Sequence, residues 1–154
     1  MNWDAIGAVG EILGALAVLV TLVYLARQVH QNTFQARLGS IQAINASNDS
    51  AFDPIYIPQN SIIFTRGQQS HVDLTDHEKI VFDMLMTRLI ASFDATTYQY
   101  IHGSYEEELY RGTARFYNGF IASAGGGEWY ATHKETFSAN CRKALENPVK
   151  NQEI

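Results

Sequence analysis

The side chains best suited to metal chemistry lie together ahead of one predicted helix. His71 and Asp73 precede Asp76, His77 and Glu78, and imidazole and carboxylate groups are ligands that zinc uses. A zinc site needs three or four ligands in a fixed geometry, and this spacing matches no known zinc pattern. Acidic residues are also favoured in the first turn of a helix because its dipole is positive there. We therefore predict a helix start and no metal.

Nucleophile and phosphate motifs elsewhere are incomplete. Glu106-Glu107-Glu108 is best interpreted as a solvated first turn. Gly125-Gly126-Gly127 lacks the Lys-Ser/Thr of a phosphate loop, so we predict a flexible turn at 124–127. Ser104 lies in HGSYE and not in G-x-S-x-G. Cys141 follows Phe137 by four residues, a helical core spacing that predicts a buried thiol. It follows His133 by eight residues, about two helical turns and too far for a thiolate pair. We predict no catalytic residue, no cofactor and a non-enzymatic protein.

The remaining chemical candidate is an acid within an apolar segment. Residues 6–26 read IGAVGEILGALAVLVTLVYLA, with Glu11 as the one charged residue. At about 1.5 Å per residue this segment matches the roughly 30 Å hydrocarbon core of a bilayer. It is longer than a typical buried core helix, and residues 1–4 contain no basic residue of the kind that begins a signal peptide. We expect a retained transmembrane helix.

The charges around this segment predict its orientation. No Lys or Arg precedes it, whereas Arg27 and Arg37 follow it, and positive residues favour the cytoplasmic side. Residues 1–5 should therefore be extracytoplasmic and the rest of the chain cytoplasmic. Trp3 and Tyr24 are placed to anchor the two membrane interfaces.

Small residues recur along one side of the segment at spacings of three and four. They are Gly7, Gly10, Gly14, Ala17 and Thr21. Such residues let membrane helices approach closely, so we predict packing against other copies or other membrane subunits, although the stripe could be accidental. Glu11 falls on its flank. An acid there is either hydrated near the interface, paired in an oligomer, or lining an ion or proton path.

Composition limits the rest of the chain to one small domain. The formal net charge of -5 excludes a nucleic-acid-binding surface. Residues 80–101 are apolar but contain Asp83, Arg88 and Asp94, which excludes a second span. We predict the following organisation: a juxtamembrane helix continuation at 27–47, an irregular connector at 48–74, a helical bundle at 75–147 and a tail at 148–154. Within the connector, residues 59–66 should form a short helix capped by Gly67.

The fold class predicted is all-α, with one N-terminal transmembrane helix followed by a small cytoplasmic antiparallel helical bundle. Thr75-Asp76-His77-Glu78 has capping-box form and should begin a helix that ends near Gly103. The other bundle helices should cover 104–123 and 128–146. The inward residues predicted are Phe82, Leu85, Leu89, Phe93, Tyr100 and Ile101, then Leu109, Thr113, Phe116 and Phe120, then Trp129 or Tyr130, His133, Phe137, Cys141 and Leu145.

Tyrosine is more abundant than a small core requires. It occurs at Tyr98, Tyr100, Tyr105, Tyr110, Tyr117 and Tyr130. Tyrosine is enriched at protein interfaces, and it also packs at the rim of a small core. The sequence is compatible with both interpretations.

A distinctive pattern, WxAIGxxGExxGA followed by VTLxYLAxQVxQNT, occurs within the first 33 residues. Its positions are Trp3, Ala5, Ile6, Gly7, Gly10, Glu11, Gly14 and Ala15, then Val20 to Ala26, Gln28, Val29 and Gln31 to Thr33. Through these residues the chain resembles an uncharacterised family of small bacterial single-pass membrane-anchored helical proteins. The resemblance implies a bacterial source and an anchor in the inner (cytoplasmic) membrane, and it implies no activity.

These observations lead to two functional hypotheses. The first is a membrane-anchored structural or interaction protein that packs through its glycine-rich face, as an accessory subunit of a membrane complex or as a homo-oligomer. The second is a small homo-oligomeric ion or proton channel that uses Glu11.

Overall fold

The structure is a computed structural model that describes residues 3–147, without the side chains of 4–6. The predicted tail at 148–154 and the first two residues of the predicted extracytoplasmic segment lie outside this range. Every regular element within it is a helix, which confirms the all-α class. The α-helices are α1 (Trp3–Phe52), α2 (Pro58–Gln69), α3 (Asp76–Ile101), α4 (Glu107–Ala122), α5 (Ala124–His133) and α6 (Ala139–Glu146). Short 3-10 helices occupy Asp53–Tyr56 and Lys134–Thr136.

The chain divides after Gly39 into an N-terminal unit and a C-terminal unit. The N-terminal unit is the first part of α1. Among the described residues, α1 is the one helix long and apolar enough to cross a membrane. None of its most apolar 18 residues is buried within the chain.

The C-terminal unit begins with the end of α1 and encloses one hydrophobic core. Ile44 and Ala51 of α1 are buried in this core. The other helices contribute Phe82, Met86, Leu89, Ile90 and Phe93 from α3, Tyr110, Ala114 and Tyr117 from α4, Trp129 and Tyr130 from α5, and Cys141 and Leu145 from α6. The core is therefore rich in aromatic rings, and Phe93 stacks on both Tyr110 and Tyr117.

The start of α3 agrees with the capping-box prediction. The Thr75 hydroxyl accepts a hydrogen bond from the Glu78 N–H, and the Glu78 carboxylate accepts one from the Thr75 N–H. Two backbone donors that have no partner within the helix are thereby satisfied. At the other end, Gly103 has φ of +72°, a left-handed conformation that favours glycine. Ile101, predicted to face inward, is half exposed.

α1 does not end at residue 47, where the predicted helix continuation at 27–47 stops. The helix continues to Phe52, and the 48–74 segment predicted as irregular contains a 3-10 helix and all of α2. The polar residue Asn48 does not form a turn, because its side chain accepts hydrogen bonds from α3 and α4. Gly67 is likewise not a cap but an interior residue of α2 that lies against the Phe82 ring.

The glycine-rich turn predicted at 124–127 is also wrong. These residues form the first turn of α5, and the Ser123 hydroxyl caps it by accepting from the Gly126 N–H. A Cβ on Gly125 would overlap the Gly67 carbonyl oxygen, and one on Gly126 would overlap the Phe120 carbonyl oxygen. These two glycines are required for close backbone packing and not for flexibility.

The last predicted helix is divided in two, and the inward face of α4 differs from the prediction. α5 ends at His133, and α6 begins after Ser138. In α4 the buried residues are Tyr110, Ala114 and Tyr117, whereas the predicted inward residues Leu109 and Phe116 are exposed. The true face is displaced by one residue, about 100° around the helix, because its core positions are occupied by tyrosines.

Candidate functional site

The predicted packing face of α1 is exposed along its whole length. A Cβ built on Gly7, Gly10 or Gly14 would meet nothing within 4 Å, and Ala17 and Thr21 are exposed. The Thr21 hydroxyl donates to the Ala17 carbonyl oxygen at 2.8 Å, so its hydrogen-bonding need is met within the helix. The face is therefore narrow, smooth and uncharged.

The other sides of α1 carry large apolar residues and the flanking acid. Ile12, Leu16, Leu19 and Val23 lie opposite the small residues, and each is more than half exposed. Glu11 is exposed on the flank. The two residues predicted as interface anchors, Trp3 and Tyr24, are 70% and 65% exposed. All eight sequence-predicted site residues thus lie on one helix, within the N-terminal unit.

A carboxylate in the C-terminal unit lies between two imidazoles, an arrangement that the sequence analysis missed. The His71 Nε2 is 2.8 Å from the Asp83 Oδ1, and the His133 Nε2 is 3.9 Å from the Asp83 Oδ2. Glu128 accepts hydrogen bonds from the backbone N–H groups of His71 and Val72 at 2.8 and 3.2 Å. These contacts fasten the α2–α3 loop to α3 and α5. His71 and His133 are 62 positions apart, so no local spacing signals their proximity.

The residues considered as metal ligands around the start of α3 do not converge. Glu78 is held by Thr75 and by an ion pair with Arg66. The Thr75 N–H and hydroxyl, followed by Arg66, lower the pKa of Glu78 below its ordinary value. Within residues 3–147 no group of three or more His, Cys, Asp or Glu side chains is arranged to hold a metal ion. At the acidic start of α4, Glu107 likewise forms an ion pair, with Arg111 one turn later.

Asn48 is the central polar residue between α1, α3 and α4. Its Oδ1 accepts from the Ser92 hydroxyl at 2.7 Å and from the Tyr117 hydroxyl at 3.3 Å. Ser92 and Tyr117 are buried, so each hydroxyl needs a partner inside the protein. This network fixes how the end of α1 packs on α3 and α4.

Cys141 is buried and is not positioned as a nucleophile. Its thiol is fully inaccessible, and burial raises its pKa to about 12. His133, the candidate base, instead stacks on Trp129 with ring centroids 4.9 Å apart. A thiol with this pKa is almost entirely protonated near neutral pH and is a poor nucleophile.

Most of the abundant tyrosines belong to the core. Tyr105, Tyr110, Tyr117 and Tyr130 are buried, whereas Tyr98 is exposed. Burial raises the pKa of Tyr110 and Tyr117 and raises that of Tyr130 to about 12. The core-packing interpretation therefore accounts for four of these residues.

Comparisons with protein-family models, curated proteins and solved structures found no match.

Proposed function

We propose that this protein is a single-pass membrane-anchored interaction protein that acts without an active site of its own. The observation that carries the proposal is the exposure of the apolar part of α1. Ten large aliphatic side chains between Gly7 and Ala26 are exposed. Transfer of each out of water contributes roughly 1.5 kcal/mol or more. This gain exceeds the cost of placing Glu11 in a bilayer, about 3 kcal/mol at most.

The anchor would lie in a bacterial inner membrane with its N-terminus outside. Arg27 and Arg37 support that orientation, since both follow the apolar segment. Cys141, the single cysteine, suits a reducing cytoplasmic compartment. In this arrangement the C-terminal unit folds as a small cytoplasmic antiparallel helical bundle.

The small-residue face of α1 is the proposed packing surface in the membrane. Between lipid-exposed helices association depends on van der Waals contact, and small residues allow it at short interaxial distance. The occupant would be another copy of the chain or a helix of a larger membrane complex. Lipid would contact the side that carries Leu16 and Leu19.

Substitution of the glycines tests this proposal. Gly10→Ile with Gly14→Ile adds bulk to the packing face, and we expect loss of association as measured by mass in native-like lipid particles. Ala8→Ile with Ala15→Ile adds the same residue type off the face and should leave the mass unchanged. Unchanged assembly in the glycine variant would contradict the packing role. The intact mass of membrane-extracted chain checks retention of the segment, because a cleaved signal peptide would shorten it.

The alternative function is a homo-oligomeric ion or proton channel. It is favoured by one observation, the presence of an acid beside the packing face of an otherwise uncharged segment. In that case Glu11→Gln should abolish proton flux into vesicles while the oligomer remains intact. Equal flux in the variant and the native chain would remove the channel role and leave the interaction role standing.

A further inference from the structure

α3 is apolar on its outward side as well as on its inward side. Its inward side is buried against the core, yet on the opposite side Ile80, Met84 and Tyr98 are 59%, 69% and 66% exposed. Large apolar side chains grouped on an exposed helix side mark a candidate interaction surface. We name this outward side the α3 outer face, which consists of Ile80, Met84, Thr87, Ala91, Ala95 and Tyr98.

The middle of the α3 outer face is a low ridge between two grooves. Ala91 and Ala95 form the ridge and line both grooves. One groove, of about 440 Å³, is closed on its far side by residues 136–138. The other, of about 270 Å³, is closed by Ser47, Ser50 and Ala51. A second helix can therefore approach the α3 backbone closely at the alanines, while its larger side chains enter the grooves on either side.

Charged residues of opposite sign border the ridge. Arg88 lies on the flank next to α1, where its guanidinium donates to the carbonyl and hydroxyl oxygens of Ser50. Asp94 lies on the other flank and accepts from the N–H and hydroxyl of Ser138. Within the part of the chain that the structure describes, Arg88 has no carboxylate partner and Asp94 has no cationic one. Asp83 lies on the same flank as Asp94.

The position of these charges distinguishes the two ways in which the face could pair with itself. When two identical helices run parallel about a shared twofold axis, each Arg88 flank meets the flank that carries Asp83 and Asp94 in the other copy. The offsets of five and six residues correspond to roughly 7.5 and 9 Å along the axis, the scale of interhelical e–g ion pairs. In an antiparallel pair the Arg88 flanks would meet each other.

We propose that the α3 outer face binds the same face of a second copy of this chain, parallel and in register. Met84, Ala91 and Tyr98 recur every seven residues and would form the seam. The inference deepens the proposed function and rests on it in one respect, because a shared membrane anchor would bring copies of the chain together in one bilayer.

Cysteine cross-linking in the full chain, expressed in membranes, tests the pairing and its direction. Met84→Cys and Ala91→Cys should each form a symmetric disulfide-linked dimer on mild oxidation. Ala131→Cys, an exposed alanine on α5, is the matched control and should remain monomeric. The native Cys141 is buried and should not contribute. Cross-linking at position 91 without position 84 would overturn the parallel direction, and equal cross-linking at position 131 would overturn the interface.

A charge test checks the flanks independently. Arg88→Glu places like charges opposite Asp83 and Asp94, and we expect dimerisation at least about tenfold weaker. Ala91→Arg should also prevent pairing while circular dichroism shows an unchanged helical fold, because Ala91 is exposed. Ala131→Arg is its control. Full-strength dimers in both interface variants would refute the proposal.

Membrane fractionation of the same samples separates this inference from the proposed function. Chain that fractionates with membranes and fails to cross-link at position 84 overturns the α3 pairing alone. Chain that cross-links at position 84 from the soluble fraction overturns the membrane anchor alone. Chain that does both supports the two together.

Discussion

Gly125→Ala should destabilise the C-terminal unit although alanine is the better helix former. The new Cβ would overlap the Gly67 carbonyl oxygen and lie 2.8 Å from the His71 backbone nitrogen. Both neighbours are backbone atoms and cannot rotate away. Ordinary contact begins at 3.4 Å, so the His71 nitrogen alone requires a shift of 0.6 Å, the difference between these two distances. The Gly67 oxygen is nearer still, so α5 must move away from the end of α2 by more than this.

The magnitude follows from two opposing effects. Overpacking of a close helix contact costs roughly 1–3 kcal/mol or more, and the gain in helix propensity is about 1 kcal/mol at most, less in a first turn. We expect a net loss of about 2 kcal/mol. The matched control is Gly119→Ala in α4, where a Cβ meets nothing within 4 Å. This exposed helical position should gain up to about 1 kcal/mol.

Urea unfolding of the full chain in detergent micelles measures both changes. Trp129 is buried in α5, four residues after Gly125, and reports unfolding by fluorescence. Since the other tryptophan is Trp3, a Trp3→Phe background isolates the signal. The decisive quantity is the difference between the two alanine variants, about 3 kcal/mol from the estimates above. A Gly125→Ala chain as stable as the Gly119→Ala chain would refute the close-packing argument.

Three further predictions concern buried and capping residues. Asn48→Ala removes the acceptor of the buried Ser92 and Tyr117 hydroxyls and should cost roughly 1–3 kcal/mol in urea unfolding, whereas the exposed Asn45→Ala should change stability by less than about 0.5 kcal/mol. Cys141, with a pKa of about 12, should resist iodoacetamide at pH 8 until urea unfolds the chain, and rapid labelling of folded protein would contradict its burial. Thr75→Ala should cost about 1 kcal/mol through the lost cap. Because the pKa of Glu78 is lowered in the folded state, its carboxylate stabilises the fold above pH 4.5, and this stabilisation disappears as the pH falls through the folded pKa. In Thr75→Ala the free energy of unfolding should therefore depend less on pH in the acid range.

The sequence was most informative where the pattern is local. The capping box at Thr75 and the apolar periodicity after it located α3 to within a few residues, because both signals arise within a single helix. The length of the apolar segment likewise predicted a long N-terminal helix. Burial of Trp129, Cys141 and Leu145 also followed from helical spacing.

The errors occurred where a residue's role depends on a distant partner. Asn48 belongs to a helix because of Ser92 and Tyr117, 44 and 69 positions away. Gly125 resembles a loop residue until Gly67 is brought against it. The inward face of α4 was misplaced because tyrosine is compatible with a surface or a core, and its neighbours decide between them. Each error is a case of tertiary contact overriding a local preference.

Three charged residues distinguish α3 from the apolar part of α1. The segment of α1 between residues 12 and 26 is uncharged on every side, whereas α3 carries Asp83, Arg88 and Asp94, which make its insertion into a bilayer costly. In the folded chain each of these charges also fastens α3 to a different element: Asp83 to His71, Arg88 to Ser50 and Asp94 to the start of α6. The apolar face that α3 keeps exposed is thus bordered by charges of both signs that are able to select an orientation, whereas the small-residue face of α1 is flanked by the single acid Glu11.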